Sequence, residues 1–135
     1  MTATVFISYA HADQGIVSPY ARTLAGAHFA VFYDVDSIDA GENWRTSVDA
    51  ALTKTAKDGY FVQFLSTAAL ASVWTDYELQ TFRQMQRDSA RCIFIEIEPI
   101  DELVLSHLQG LQRLVFYGRR IATNEQKLLE AVAVD

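Results

Sequence analysis

The chain has 135 residues, half of them apolar, and its 17 acidic against 11 basic side chains give a formal charge of −6. This length suits one domain over residues 1–135, with a core from about residue 4 to 133, and the composition is typical of globular proteins. No basic run is longer than Arg119-Arg120, which argues against nucleic acid as a direct partner. The single cysteine, Cys92, excludes an internal disulfide and is expected in the core.

The N-terminus reads M-T-A-T-V-F-I-S-Y, without the basic and apolar regions of a signal peptide. No apolar run elsewhere reaches the length that a membrane crossing requires. We therefore expect a cytoplasmic protein with no membrane partner.

Five short runs rich in Val, Ile and aromatic residues have the character of β-strands. They cover residues 5–9, 30–33, 59–65, 92–97 and 114–117. Several are nearly continuous apolar runs, which is typical of strands covered by helices on both faces.

Segments with helical character lie between or after these strands, at residues 13–27, 43–56, 74–87 and 124–133. Asn43 is predicted to cap the second of them, and Thr123 or Asn124 the last. Strands that alternate with helices predict an α/β three-layer sandwich, with a flavodoxin-like five-stranded parallel sheet.

The loops after the strands are where an open parallel sheet binds ligands. The loop after the first strand has neither the glycine spacing of a dinucleotide-binding turn nor a Walker lysine. Ser66 ends the third strand, where a response-regulator receiver would need Asp. The segment D-V-D-S-I-D-A-G-E-N-W after the second strand is acidic but misses the spacing of an EF-hand, so we expect no metal site.

Four motifs occur in a fixed order: V-F-I-S-Y-A-H-A-D, F-A-V-F-Y-D-V-D-S-I-D-A-G-E-N-W, L-S-T-A-A-L and S-x-W-x-x-x-E-L. With this combination the chain resembles a Toll/interleukin-1 receptor (TIR) domain from about Thr4 to Ala133. It is most similar to the bacterial and axonal-degeneration branches that cleave NAD, because those members carry a Glu at the position of Glu78. The resemblance implies a role in immune, antiphage or cell-death signalling.

A helical Glu is most often a solvated surface residue. The resemblance implies instead that Glu78 is the catalytic carboxylate of an NAD⁺ glycohydrolase, with NAD as substrate and no cofactor. Nicotinamide leaves NAD as a neutral molecule, so no general acid is needed, and one carboxylate can stabilise the oxocarbenium-like ribose. The product, linear or cyclic ADP-ribose, depends on which nucleophile reaches the ribose first.

The resemblance also implies a set of substrate-binding residues: Ser8, Tyr9, Ala10, Trp44, Arg45 and Trp74. Trp74 lies one helical turn before Glu78, where its indole could stack on the nicotinamide or the ribose. Each of the larger side chains has a structural alternative: core packing for Trp74, strand packing for Tyr9, and a helix-start contact or solvated charge for Trp44 and Arg45.

Two other functions stay open. One is a non-catalytic TIR module that signals by self-association, and the other is an enzyme similar to nucleoside deoxyribosyltransferases. For the catalytic reading, the resemblance implies a homo-oligomer with TIR–TIR contacts through Asp34 to Glu42, where Val35 and Ile38 are the only apolar anchors. It also implies a sensor domain, beyond Asp135 or on a partner.

Overall fold

The computed structural model describes residues 3–33 and 42–132, without the side chains of residues 42–46. Five strands alternate with helices along this part of the chain, as the sequence predicts. In chain order the elements are β1 (Thr4–Ser8), α1 (Gln14–Gly26), β2 (Ala30–Phe32), α2 (Glu42–Asp58), β3 (Tyr60–Leu65), α3 (Thr67–Leu70), α4 (Val73–Met85), β4 (Cys92–Glu96), β5 (Gln112–Val115) and α5 (Ile121–Ala131). Single turns of 3-10 helix cover His11–Asp13, Ser89–Arg91 and Ser106–Leu108.

The five strands form one parallel sheet in the order β2-β1-β3-β4-β5. This confirms the predicted α/β class and flavodoxin-like sheet. The strand order reverses between β1 and β3, which are hydrogen-bonded neighbours with Ser8 opposite Gln63. In open α/β sheets this switch point opens a crevice at the carboxyl ends of the strands.

Side chains alternate between the two faces of the sheet, and each face has its own helices. On one face, the α1/α5 face, Val5 and Ile7 pack with Val17 and Leu24 of α1 and with Leu128 of α5. The strand residues between them point to the opposite face, the α2/α4 face. There the buried cluster consists of Phe6, Val48, Leu52, Phe61, Leu65, Leu79, Phe82, Cys92, Phe94, Leu105 and Leu108.

A row of stacked rings holds the α2/α4 face together. Phe6 lies 4.9 Å from Phe32 and 5.7 Å from Phe61, and Phe61 lies 5.1 Å from Phe82 of α4, measured between ring centroids. Burying each such side chain stabilises the fold by about 2–3 kcal/mol before losses of conformational entropy. The row fixes α4 against β3, and therefore fixes where residues on the first turns of α4 lie.

The residue before β3 must be glycine. A Cβ atom on Gly59 would lie 2.0 Å from the backbone oxygen of Thr4, closer than any carbon can approach. Gly59 therefore lets β3 enter the sheet close beside β1.

Four sequence predictions need correction. Helix α2 begins at Glu42, so Asn43 lies within it and the prediction that Asn43 caps this helix was wrong. The fifth strand starts two residues earlier than predicted, at Gln112. The loop after β3 contains the short helix α3, which has too few residues to show a period. Helix α5 begins at Ile121 after Arg120, so the prediction that Thr123 or Asn124 caps it was wrong. Cys92, as predicted, is buried in the core.

Candidate functional site

A polar cluster interrupts the apolar α2/α4 face at the switch point between β1 and β3. Ser8 is the last residue of β1, and its register partner in β3 is Gln63. Both side chains are almost fully buried, with 1% and 5% of their surface exposed. Because Ser8 and Gln63 follow Phe6 and Phe61 by two residues, they share the face that α4 covers. Glu78 comes from α4 and meets them there.

Three hydrogen bonds join this cluster. The Ser8 hydroxyl donates to Oε1 of Glu78 at 2.8 Å. The Gln63 amide nitrogen donates to the Ser8 oxygen at 3.1 Å and to the backbone oxygen of Thr75 at 3.0 Å. The chain of contacts thus runs from β3 through β1 to the carboxylate, and a second branch returns to the first turn of α4.

Burial raises the pKa of Glu78 from its ordinary value of 4.5 to about 7, although the Ser8 hydrogen bond lowers it. Burial disfavours the charged form because protein replaces water around the carboxylate. No charged side chain among the described residues contributes to this shift. The residue as a whole is nevertheless partly exposed to solvent. A carboxyl group that titrates near neutral pH at an accessible position is typical of a functional site.

Two hydrogen bonds hold the first turns of α4 in place. Ser72 caps the helix by accepting a hydrogen bond from the backbone nitrogen of Thr75 at 3.4 Å. One turn further on, the Tyr77 hydroxyl donates to Asp49 of α2 at 2.6 Å. With Leu79 and Phe82 buried below them, these contacts set the position and direction of Glu78.

Side-chain hydrogen bonds also tie together the loops at this edge of the sheet. The buried Ser66 hydroxyl caps α3 and donates to the carboxylate of Asp13, which follows β1. The backbone nitrogen and hydroxyl of Thr67 donate to Glu98, after β4, at 3.1 and 2.7 Å. The loops after three neighbouring strands are thereby linked beside the polar cluster.

The structure brings two of the predicted site residues, Ser8 and Glu78, into direct contact. Tyr9 lies elsewhere: its ring stacks on Tyr33 at 5.0 Å and packs against the core of the α1/α5 face. Ala10 is buried and its backbone oxygen accepts from the nitrogen of Asp13, so it shapes the loop after β1. Trp74 has 45% of its surface exposed on α4, one turn before Glu78.

The remaining predicted contacts lie outside the described residues. They are the side chains of Trp44 and Arg45 and the segment from Asp34 to Glu42, apart from the backbone of Glu42. Sequence reasoning overlooked Gln63, although a signal was present. A single amide inside the apolar run Y-F-V-Q-F-L must find hydrogen-bond partners when it is buried, so it marks a polar network.

Two surface clefts lie apart from Glu78. One, of about 440 Å³, is lined by residues that include Gln63, Thr75, Val104 and His107. The other, of about 610 Å³, surrounds the end of α4. Glu78 lines neither, so we do not assign the chemistry of the carboxylate to them. Within residues 3–33 and 42–132, no three His, Cys, Asp or Glu side chains are grouped so that they could hold a metal ion.

Comparison with known families decides what this fold is. A sequence model of the TIR domain matches residues 5–131, almost the whole chain. The chain belongs to the TIR domain family. Membership supports the coarser part of the functional prediction, a signalling module. Nothing in the match separates the branches of the family.

Solved structures agree with this assignment. The TIR domain of the Toll-related receptor TRR-2 from Hydra magnipapillata is 18% identical, with a TM-score of 0.72 over 93% of this chain and 94% of that chain. A metazoan TIR-STING receptor from C. gigas, solved in complex with 2',3'-cGAMP, is 14% identical with a TM-score of 0.70. That match covers 96% of this TIR domain but only 39% of the receptor. At these identities the similarity shows a shared fold.

No curated protein sequence matches the chain significantly. Within the described part of this TIR domain, no helix has both the length and the apolar character needed to cross a bilayer.

Proposed function

We propose that this TIR domain cleaves NAD, with Glu78 as the catalytic carboxylate. The observation that carries the proposal is the position of this group. The carboxylate of this partly exposed residue has a pKa raised to about 7, and Ser8 holds it at the switch point of the sheet, where open α/β folds bind ligands. The same position matches the Glu of the NAD-cleaving members that the sequence resembles.

The chemistry suits a single carboxylate. The bond between ribose C1′ and the pyridinium nitrogen breaks, its electron pair goes to the nitrogen, and nicotinamide leaves neutral. Positive charge then develops on the ribose, and the ionised Glu78 stabilises it at short range in a partly water-excluded site. Water bonds to C1′ and loses a proton, for which Glu78 has a well-matched pKa as general base. The products of hydrolysis are nicotinamide, ADP-ribose and one proton.

Trp74 contributes an exposed aromatic surface one turn from Glu78. Its indole and the Tyr77 ring make an edge contact at 6.1 Å between centroids, and Tyr77 is in turn bound to Asp49. A ring supported in this way offers a stacking surface for the nicotinamide or ribose at little cost in side-chain entropy. Trp44 and Arg45 are proposed as further ligand or neighbour contacts from the resemblance alone.

The test is to incubate the purified chain with NAD and to measure released nicotinamide. Glu78→Gln keeps the size of the side chain and removes its charge, and it should lower kcat by about 100-fold or more. Glu130→Gln on the exposed side of α5 is the matched control and should keep full activity. The kcat/KM of the unaltered chain should rise with pH through a midpoint near 7, because the ionised form of Glu78 is the active one.

Three results would contradict the proposal. They are a folded Glu78→Gln variant that remains active, a concentrated and self-associated sample that releases no nicotinamide, and activity on deoxynucleosides but not on NAD. The second would favour a non-catalytic signalling module, and the third an enzyme similar to nucleoside deoxyribosyltransferases.

We further propose that activity depends on homo-oligomer formation through Asp34 to Glu42. The support is the family resemblance and the composition of this segment, which is acidic and has few apolar residues. Turnover per molecule should rise with protein concentration, and substitution of Ile38 or Gly41 should reduce it without unfolding the chain. Equal turnover per molecule in a dilute monomeric sample and in a concentrated one would refute this dependence.

A further inference from the structure

The most unusual residue in the sheet is Gln63, an amide at the centre of β3. Its neighbours along the strand, Val62 and Phe64, are fully buried on the opposite face, and Phe61 and Leu65 flank it on its own face. A buried amide is unfavourable unless its polar atoms are hydrogen-bonded. An apolar residue at this position would stabilise the core more than a glutamine does. The two hydrogen bonds that Gln63 donates therefore indicate a role beyond packing.

The direction of these bonds limits what Ser8 can do. A serine hydroxyl has one proton to donate, and its oxygen can accept. Because the amide nitrogen of Gln63 donates to this oxygen at 3.1 Å, the hydroxyl proton must point elsewhere. The carboxylate of Glu78, 2.8 Å away, receives it. Gln63 therefore determines that Ser8 is a donor to Glu78.

The second N–H of the same amide nitrogen is also used. It donates to the backbone oxygen of Thr75 at 3.0 Å, in the first turn of α4 and one turn before Glu78. Gln63 thus contacts two groups that position Glu78. They are the Ser8 side chain, which binds the carboxylate, and the backbone of α4, which carries Glu78. Neither contact lies on the exposed surface, so water cannot readily replace the amide.

We propose that Gln63 is a positioning residue for the reaction at Glu78, acting through the Ser8 hydroxyl and the first turn of α4. The inference rests on the proposed NAD cleavage for its kinetic consequences, but the hydrogen-bond chain itself exists without a substrate. Without the amide, the Ser8 hydroxyl can turn away from Glu78. The carboxylate then loses a contact that favours its ionised form and keeps it aimed at the ribose.

The first test is Gln63→Met, which keeps the volume of the side chain and removes the donors. We expect kcat for NAD cleavage to fall about tenfold with little change in KM, because the substrate contacts are left in place. The midpoint of the pH dependence of kcat/KM should rise by about half a unit or more, since the carboxylate loses the Ser8 proton. Gln84→Met, at an exposed position on α4, is the matched control and should change neither quantity.

A double-mutant cycle with Ser8→Ala separates positioning from a merely structural role. If Gln63 acts through Ser8, then Gln63→Met should have almost no further effect on the pH midpoint once Ser8 is alanine. If the amide only fills space in the core, Gln63→Met should leave the midpoint unchanged whether residue 8 is serine or alanine, and the two substitutions should lower stability additively. That second result would overturn the proposal.

An NMR titration keeps this test independent of the proposed function. The carboxyl carbon of Glu78 can be followed with pH in the unaltered chain, in Gln63→Met and in Ser8→Ala, with no substrate present. Both variants should raise the pKa of Glu78, and an unchanged value in a folded Gln63→Met variant would refute the positioning role even if NAD is not cleaved. If Gln63→Met does not fold, Gln63→Asn replaces it, because the shorter amide cannot hold both partners but disturbs the core less.

Discussion

Two buried polar networks among the described residues lie on opposite faces of the sheet, and they end differently. On the α1/α5 face, the amide nitrogen of Asn124 donates to the Tyr20 hydroxyl at 3.1 Å and to the backbone oxygen of Phe116 at 3.0 Å. Every group in that network is neutral. On the α2/α4 face, the network of Ser8 and Gln63 ends at Glu78, a partly exposed residue whose carboxyl pKa is raised to about 7.

This is the difference we expect between a structural network and the catalytic one that we propose. Asn124 is 1% exposed, and its amide nitrogen joins the start of α5 to the end of β5 and to α1. This network contains no ionisable carboxyl group and serves to hold the three elements together. The network at Glu78 instead holds an ionisable group at the edge of water, which weakens the fold when the group is charged. Proteins tolerate such a cost mainly at sites that do chemistry.

The largest effect should come from breaking the neutral network. Asn124→Ala removes both donors and leaves the buried oxygen atoms of Phe116 and Tyr20 without them, so we expect a loss of about 2–3 kcal/mol in the free energy of unfolding. Urea unfolding measures this loss, and Gln126→Ala on the exposed side of α5 is the matched control. The loss should be the same at pH 5 and pH 8. A loss that changes with pH would show that the two faces are coupled.

The second prediction concerns the charged network and has the opposite sign. Because the folded-state pKa of Glu78 is raised from 4.5 to about 7, its contribution to stability is complete below pH 4.5 and is lost as the pH rises through 7. Glu78→Gln should therefore gain much less over the unaltered chain at pH 5 than at pH 8, where its unfolding free energy should be higher by about 2 kcal/mol, a value reduced for partial exposure.

Urea unfolding at the two pH values measures this gain, with Glu130→Gln as the control that should show none. A Glu78→Gln variant that is stabilised equally at pH 5 and pH 8 would contradict the raised pKa. A variant that gains stability while losing NAD cleavage would be the expected behaviour of a catalytic group.

The sequence predicted the sheet better than it predicted the networks, for a physical reason. Strands buried on both faces are apolar along their whole length, so the runs containing Phe61 and Phe94 are recognisable locally. A buried hydrogen bond joins residues far apart in sequence, and its partners appear only in three dimensions. Asn124 was therefore predicted as a helix cap, and Gln63, inside an apolar strand, was not predicted as a site residue.

The proximity of Ser8 and Glu78 could be predicted from the sequence, because the resemblance to TIR domains implied that both residues belong to one site. The face on which the Tyr9 side chain packs could also be predicted in part. Neighbouring residues in a strand point to opposite faces, and Tyr9, one residue after β1, continues this alternation by packing on the α1/α5 face. The order of β1 and β3 in the sheet, which brings Gln63 beside Ser8, depends on the handedness of the crossovers and on the packing of α2 and α4.

The smallest expected effect on stability concerns Glu98, a second carboxylate at the same edge of the sheet, which can be compared with Glu78. Glu98 is bound by the backbone nitrogen and hydroxyl of Thr67, and these hydrogen bonds lower its pKa below the ordinary value of 4.5. Its contribution to stability is therefore present above pH 4.5 and is lost as the pH falls through the lowered folded-state pKa, the reverse of Glu78.

Glu98→Gln should cost at most about 0.5 kcal/mol at pH 7, since water screens this contact. Urea unfolding at decreasing pH should show the cost shrinking as Glu98 becomes protonated, because the neutral carboxyl group and the glutamine then make similar contacts. A cost that does not fall with pH would mean that the substitution disturbs packing rather than charge. Opposite pH dependence of the two Gln variants would show that burial decides the direction of each pKa shift. Glu98 is exposed to water, so its hydrogen bonds to Thr67 favour the ionised form and lower its pKa. At Glu78, burial outweighs the hydrogen bond from Ser8 and raises the pKa.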